Sequence, residues 1–408
     1  MYRTASCRFV LAWENSVRFS SFVDRIAGEG AEAWQIHDAA RAAKARGEDV
    51  LMLSIGDPDF ATPSTICEAA ITAIRAGDTH YTDMAGRDTL RREIIKRHNR
   101  RTGLDFGIEN VVVLSGAQCA LYSACQCIAQ AGDDVMILDP AYVTYEAVVR
   151  ATGANLVRVA QPAGSGFRPD LDAIEAAITE RTRAILIANP NNPTGVVMTV
   201  AELKAISDIA RRHDLWIISD EVYSDLLFDG EHCSIAGLPG MAERTITVSS
   251  LSKSHAMTGW RVGWAIAPQA LIAHMNNLAL AMLYGSPGFI QEAATTALAA
   301  GEDIVTDMRD TYRRRRDQAY EILSQVKGLR CDLPQAGMFL MVDVRGTGIG
   351  ASEFAWSLLR NKGVSVLDAA PFGACANGHI RLSFTLSEAR TAEACRRIAD
   401  HVLDLAAK

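Results

Sequence analysis

Excess charge of one sign, metal-ligand patterns and long apolar runs are all missing from this chain of 408 residues. Its 41 Lys and Arg and 48 Asp and Glu residues are intermixed and give a net charge of −7, which argues against a nucleic-acid partner. No apolar run approaches the roughly 20 residues that a membrane-spanning helix needs. Neither a C-x-x-C pair nor a His/Cys cluster occurs, so we expect no metal. The sequence predicts a soluble protein.

The nine cysteines favour a reducing compartment. Their number is odd, and Cys119, Cys125 and Cys127 lie in apolar surroundings, as reduced core residues do. We therefore expect a cytoplasmic protein.

Residues 1–17 contain a short apolar patch, residues 9–13, which follows Arg3 and Arg8. The patch is too short for a signal peptide, Glu14 follows it, and a small-residue cleavage site is missing. We interpret this segment as an N-terminal extension, and the mass of the natural protein would test that interpretation.

Short apolar runs alternate with longer helical stretches between about residues 110 and 267. The runs are residues 110–114, 134–138, 183–188, 215–219, 246–250 and 262–267. Because these runs are almost continuously apolar, they predict mostly parallel strands that helices cover on both faces, an α/β fold. After about residue 300 a long charged helix precedes further strand-like runs, which indicates a smaller α+β unit.

Candidate chemical groups follow several of these runs. Ligands of a parallel sheet bind at the carboxyl ends of its strands, where Gly116, Asn192, Asp220 and Lys253 fall. The most informative segment is Ser250-Leu251-Ser252-Lys253, with Arg261 downstream. A lysine amine can form a Schiff base with the aldehyde of pyridoxal phosphate, while serines and a guanidinium can bind its phosphate. A solvated lysine beside two serines is the alternative.

Four segments in order resemble the class I aminotransferases: residues 189–195 (NPNNPTG), 219–223 (SDEVY), 250–253 (SLSK) and 378–383 (GHIRLS). The resemblance covers the chain from about residue 18. It implies pyridoxal phosphate as cofactor and fold type I, in which a mostly parallel seven-stranded sheet forms the large domain. The implied units are an extension (1–17), an arm with part of the small domain (18–60), the large domain (61–300) and the C-terminal small domain (301–408).

The resemblance also implies roles for three catalytic residues. Lys253 would form the Schiff base and then move the Cα proton, and Asp220 would keep the pyridine nitrogen protonated. Tyr223, with Asn192, would hydrogen-bond the cofactor O3′. A helix N-cap is the alternative for Asp220, and a core tyrosine is the alternative for Tyr223.

The remaining cofactor contacts follow from the same resemblance. The phosphate would be held by Gly116, Ala117, Gln118, Ser250, Ser252 and Arg261. Tyr142 would stack on the pyridine, with packing at a sheet edge as its alternative. Tyr81 would reach the phosphate of a neighbouring subunit, which implies a homodimer with shared active sites.

The substrate α-carboxylate would be bound by Arg381, whose planar fork matches it, with help from Asn192 and the Gly56 backbone. A surface charge is the alternative for Arg381. The family likeness also predicts cis peptides at Asp139-Pro140 and Asn192-Pro193.

Further runs, residues 213–216, 224–232, 252–260 and 282–287, resemble the transaminases that pass the amino group of L-arginine to pyruvate. The region around Tyr284, predicted to contact substrate, carries no cation, so an aspartate or glutamate tail would go unpaired. A guanidinium tail needs a carboxylate, which Glu32, or else Glu29 or Asp83, could supply.

Three other functions remain open at this stage. The first is an aminotransferase for an aromatic or branched amino acid, for alanine or for aspartate, which would differ in the tail pocket. The second is a pyridoxal phosphate-dependent β-lyase on the same fold, which would release ammonia. The third is a regulator that uses the fold as a sensor, but residues 1–17 are too few for a helix-turn-helix.

Overall fold

A computed structural model describes residues 18–27, 34–301 and 303–407. The helices are α1 Phe22–Arg25, α2 Gln35–Ala45, α3 Ser64–Arg75, α4 Asp88–Thr102, α5 Ala117–Ile128, α6 Tyr145–Ala151, α7 Leu171–Ala176, α8 Val200–Arg212, α9 Gln269–Met282, α10 Gly288–Ala299, α11 Asp303–Ser324, α12 Ala351–Lys362 and α13 Glu388–Ala406. The strands are β1 Leu51–Met52, β2 Val111–Leu114, β3 Asp134–Asp139, β4 Asn155–Ala160, β5 Thr182–Ala188, β6 Trp216–Asp220, β7 Thr245–Ser250, β8 Gly263–Ile266, β9 Phe339–Asp343, β10 Val364–Ser365, β11 Leu367–Asp368 and β12 His379–Ser383. Within these ranges no helix is long and apolar enough to cross a membrane.

A seven-stranded sheet in the order β2-β8-β7-β6-β5-β3-β4 forms the centre of the molecule. All neighbours pair in parallel except β8, which runs antiparallel to both β2 and β7. Adjacent residues on a strand face opposite layers, so Ile217 packs with α7 and α8 while Ile218 packs with α5 and α9. The predicted α/β fold with a mostly parallel seven-stranded sheet is confirmed.

Strand β4 was not among the predicted strands. It lies at the edge of the sheet, and the polar residues Asn155 and Arg158 interrupt its apolar run, with Asn155 and Ala160 exposed and Val159 buried. The buried strands beside it are continuously apolar, which is the pattern on which the prediction depended.

Two small sheets lie in the remaining part of the described chain. Strands β9, β11 and β12 pair antiparallel, while β1 pairs in parallel with β10. Their apolar side chains pack with α11, α12 and α13 around Phe339, Phe354 and Ile398. Pairing of β1 with β10 joins the segment before the large sheet to the C-terminal part. The domain boundaries themselves stay a prediction, and the proposed extension, residues 1–17, lies outside the described residues.

One of the two predicted cis peptides is misplaced. Asp139-Pro140 is cis, as predicted, whereas the other cis bond in the described residues is Asn189-Pro190. The prediction for Asn192-Pro193 is therefore wrong. The motif contains two Asn-Pro pairs, and the prediction places the family's cis bond at the second pair instead of the first.

Candidate active site

A cavity of about 350 Å³ opens at the carboxyl ends of the central strands. That volume lies within the range of small-molecule sites. It brings together most of the predicted site residues, namely Gly56, Ala117, Gln118, Tyr142, Asn192, Asp220, Tyr223, Ser250, Ser252, Lys253, Arg261 and Arg381. These residues come from all parts of the chain between residues 56 and 381, so the fold and not the sequence order assembles the cavity.

Lys253 lies in the connection between β7 and β8. Its Nζ donates a hydrogen bond of 2.6 Å to the carbonyl oxygen of Gly56. Burial lowers the pKa of Lys253 to about 8; the Asp57 carboxylate opposes this shift, and the Arg381 guanidinium adds to it. A lysine of this kind is unprotonated for part of the time near neutral pH, as a nucleophilic amine must be.

Asp220 is the last residue of β6 and is buried in the floor of the cavity. The hydroxyl of Tyr145 donates to its Oδ2 at 2.7 Å, and the Val222 amide donates to its Oδ1 at 3.2 Å. Burial raises the pKa of Asp220 to about 6, against the effect of these two donors. Turns and no helix follow Asp220, so it is not a helix N-cap.

Two tyrosines line the cavity beside Asp220. Tyr223 is buried with its ring edge-on to Phe339, the centroids 5.8 Å apart, and burial raises its pKa far above the usual value. Tyr142 packs edge-on to Tyr145 at 5.9 Å. Each ring therefore combines apolar packing with a place in the cavity wall.

Hydrogen-bond donors converge where helix α5 begins. Gly116 precedes the helix with φ of 85°, and a Cβ there would lie 2.4 Å from Nη2 of Arg261, so glycine lets the guanidinium approach the turn. Nη1 of Arg261 donates to the Thr258 carbonyl at 2.9 Å. Ser250 and Ser252 are buried beside it. Helix amides, hydroxyls and a guanidinium together fit a phosphate dianion.

Arg381 is 1% exposed on strand β12 and is not a surface charge. Its Nη1 donates to Oδ1 of Asn192 at 3.1 Å, and its Nη2 donates to the Ser54 carbonyl at 3.2 Å. The guanidinium carbon lies 4.2 Å from the ring centroid of Phe339. Among the described residues its Nε has no hydrogen-bond partner. Burial lowers the pKa of Arg381 to about 10, which leaves it charged and able to bind an anion.

Other predicted residues lie elsewhere. Tyr81 and Tyr284 do not line the cavity; they are 82% and 53% exposed and pack on each other, with centroids 4.8 Å apart. Asp83 is exposed on the same loop as Tyr81. The predicted substrate residue Glu32 and its alternative Glu29 lie outside the described residues.

Sequence reasoning missed several lining residues, among them Trp34, Asp57, Tyr145 and Phe339. Asp57 directly follows Gly56, which was predicted, so its position was the one available signal. Tyr145 lies three residues after Tyr142, and only the turn into α6 directs its hydroxyl to Asp220. Nothing in the local sequence distinguishes Trp34 or Phe339 from core aromatics.

Comparison with known proteins places the chain in a large family. The family model described as aminotransferase class I and II matches residues 48–398. The arginine--pyruvate transaminase of Pseudomonas aeruginosa is 54% identical over 94% of this chain and 98% of its own length. An aspartate aminotransferase of Geobacillus stearothermophilus is 37% identical over 86% of this chain and 91% of its own.

Solved structures agree with this placement. The structure of an aspartate aminotransferase from Thermus thermophilus with maleate superposes with a TM-score of 0.90 at 33% identity, covering 95% of this chain and all of that one (100%). An aromatic aminotransferase from Pyrococcus horikoshii gives a TM-score of 0.85 at 34% identity, with 90% and 99% covered.

Proposed function

Since this chain belongs to the class I and II aminotransferases, which depend on pyridoxal phosphate, we propose that it transfers the α-amino group of L-arginine to pyruvate. The products would be 5-guanidino-2-oxopentanoate and L-alanine. The observation that carries the choice of substrate is the 54% identity to an arginine--pyruvate transaminase, against 37% for an aspartate enzyme.

Lys253 is proposed as the group that binds the cofactor aldehyde and moves the substrate proton. When bound, pyridoxal phosphate supplies an electron sink for the electrons left at the substrate Cα. The lowered pKa of Lys253 supports this role, because the unprotonated amine can attack an aldehyde and accept a proton. Its hydrogen bond to the Gly56 carbonyl holds the amine inside the cavity.

Asp220 and Tyr223 are proposed to tune the cofactor ring from opposite sides. A buried carboxylate stabilises a proton on the ring nitrogen, and the Tyr145 hydroxyl holds that carboxylate in place. The Tyr223 hydroxyl, with Asn192, would donate to the ring oxygen, since its raised pKa keeps it protonated. Tyr142 would pack against the ring face.

The anionic groups of cofactor and substrate are assigned to two separate guanidinium groups. Arg261, with the amides of Ala117 and Gln118 after Gly116 and the hydroxyls of Ser250 and Ser252, would bind the phosphate. Arg381 would bind the α-carboxylate, which can replace Asn192 or Ser54 as a partner or use the free Nε.

We further propose a cytoplasmic homodimer in which Tyr81 and Tyr284 reach the active site of the partner subunit. Their exposure and mutual packing support this arrangement, since large exposed aromatic pairs mark interaction surfaces.

The direct test mixes the purified holoenzyme with single L-amino acids and follows the visible absorption of the bound cofactor. Rapid conversion by L-arginine, slow conversion by L-aspartate and reversal by pyruvate are expected. Faster conversion by an aromatic or branched amino acid would reject arginine. Ammonia release without a keto-acid acceptor would instead indicate a β-lyase.

A further inference from the structure

A substrate with a guanidinium tail enters a cavity that already holds three cationic side chains. Lys253, Arg261 and Arg381 all line it. Phosphate and the α-carboxylate can pair with two of these, but neither pairs with the positive charge on the tail. A carboxylate of the protein must therefore face the tail, because an unpaired charge in a partly buried site is unfavourable.

Only two carboxylates line this cavity within the described part of the chain, those of Asp57 and Asp220. Asp220 is buried in the floor, and the hydroxyl of Tyr145 and the amide of Val222 occupy its oxygens. It is also the group proposed to face the cofactor ring. Asp57 lines the cavity and is also exposed, so its carboxylate is open to solvent.

The contacts of Asp57 leave one carboxylate oxygen open. Its Oδ1 accepts a hydrogen bond of 2.7 Å from the Thr258 hydroxyl, which orients the carboxylate. Over the described residues, Oδ2 has no hydrogen-bond partner. Asp57 is also the acid that most opposes the lowering of the Lys253 pKa, so it lies near the reacting amine.

We propose that Asp57 binds the guanidinium group of the substrate, with the indole of Trp34 packing against its face. Trp34 lines the same cavity, and an indole face attracts a planar cation. A bidentate guanidinium–carboxylate pair needs two acceptor oxygens in one plane, which an oriented aspartate provides. This assignment rests on the proposed function, because it names the group that selects arginine.

Binding of unreactive analogues tests the assignment without turnover. The probes are 5-guanidinopentanoate and its uncharged isostere 5-ureidopentanoate, which lack the amino group and cannot react. Calorimetry on the holoenzyme gives the ratio of their dissociation constants for the wild type and for Asp57→Asn. Asparagine keeps an oxygen for the Thr258 hydroxyl, so the fold is preserved.

The wild type is expected to prefer the guanidino probe roughly tenfold, the effect of one charge-assisted pair at a partly exposed site. Asp57→Asn should reduce that ratio to about one while binding of the ureido probe stays unchanged. Trp34→Leu should reduce it about threefold. Asp208→Asn, a surface change at a carboxylate that pairs with Arg211 on its own helix, should leave the ratio unchanged.

An unchanged ratio in Asp57→Asn would overturn the assignment, as would a loss of preference that appears in Glu32→Gln or Asp83→Asn instead. Either result leaves the proposed function standing if L-arginine still converts the wild-type cofactor rapidly. A wild type that neither prefers the guanidino probe nor reacts with L-arginine would overturn the proposed function as well.

Discussion

Lys253 and Asp220 share one cavity, and burial shifts their pKa values in opposite directions. That of the lysine falls to about 8 and that of the aspartate rises to about 6. Both groups are therefore close to their titration points near neutral pH, which is typical of residues that exchange protons. Tyr145 limits the shift of Asp220 by donating a hydrogen bond to it.

Capture of pyridoxal phosphate by the apoprotein should accelerate as pH rises through about 8. The nucleophile is the unprotonated amine, whose fraction increases up to and beyond the lowered pKa of Lys253. Stopped-flow absorbance between pH 6.5 and pH 9.5 measures the rate constant. Lys253→Ala should abolish the covalent spectrum, and a wild-type rate that does not vary with pH would contradict the assignment.

Removal of the Tyr145 hydroxyl should raise the pKa of Asp220 further. In Tyr145→Phe we expect the acidic limb of the kcat/KM profile to move to higher pH by up to about one unit, because the ionised carboxylate loses a donor. Tyr320→Phe, on helix α11, is the matched control and should leave the limb in place. An unmoved limb in Tyr145→Phe would show that Asp220 does not control it.

At the level of elements, the start of strand β8 packs tightly on the start of helix α5. A Cβ at Gly263 would lie 2.6 Å from the Ala117 amide nitrogen and 2.6 Å from the Gly116 carbonyl carbon, both backbone atoms. Close contact with backbone leaves no side chain to move aside. The turn that is proposed to bind the phosphate therefore depends on glycine in the neighbouring strand.

Gly263→Ala should lower the free energy of unfolding by about 1–3 kcal/mol, the usual range for overpacking, and should weaken cofactor binding. Gly164→Ala is the control, because a Cβ there meets nothing within 4 Å, and its stability should stay within about 0.5 kcal/mol of the wild type. Urea unfolding of the apoprotein and cofactor titration measure the two effects. Equal stability of the two variants would contradict the packing argument.

Sequence patterns predicted the buried strands because most are nearly continuous apolar runs, and they missed β4 because Asn155 and Arg158 interrupt its run. They did not predict that β8 runs antiparallel, since strands buried on both faces have similar composition in either direction. Motif residues such as Asp220 and Lys253 were placed in one cavity as predicted. Trp34 was missed because only tertiary packing brings it there, whereas Asp57 directly follows the predicted Gly56.

At the scale of the whole molecule, several exposed apolar side chains lie together around the carboxyl end of α9. Leu280 is 48% exposed and Met282 is 38% exposed, next to Tyr81 and Tyr284. Exposed apolar side chains grouped in this way favour coverage by a second subunit. Residues 283–286 contain no cationic side chain, which agrees with the proposed substrate, an amino acid without a second carboxylate.

Leu280→Asp should raise the dissociation constant of the proposed homodimer by roughly tenfold or more, because a buried unpaired carboxylate is strongly unfavourable. Analytical ultracentrifugation across a concentration series measures it. Leu403→Asp provides the control, since Leu403 is 66% exposed on α13, away from this group. A monomeric wild type, or equal effects of both changes, would contradict the proposed interface.

The antiparallel course of β8 has a consequence for chain entropy. Ser250 at the end of β7 pairs with Gly263 at the start of β8, so the connection that carries Lys253 is a loop closed at its base. Closing a loop of about a dozen residues costs about 2 kcal/mol. Pairing of β7 with β8 offsets this loop-closure free energy when the sheet folds, before the cofactor binds. Ser250, Ser252 and Arg261, which are proposed to bind the phosphate, are therefore positioned by the folded sheet and not by the cofactor.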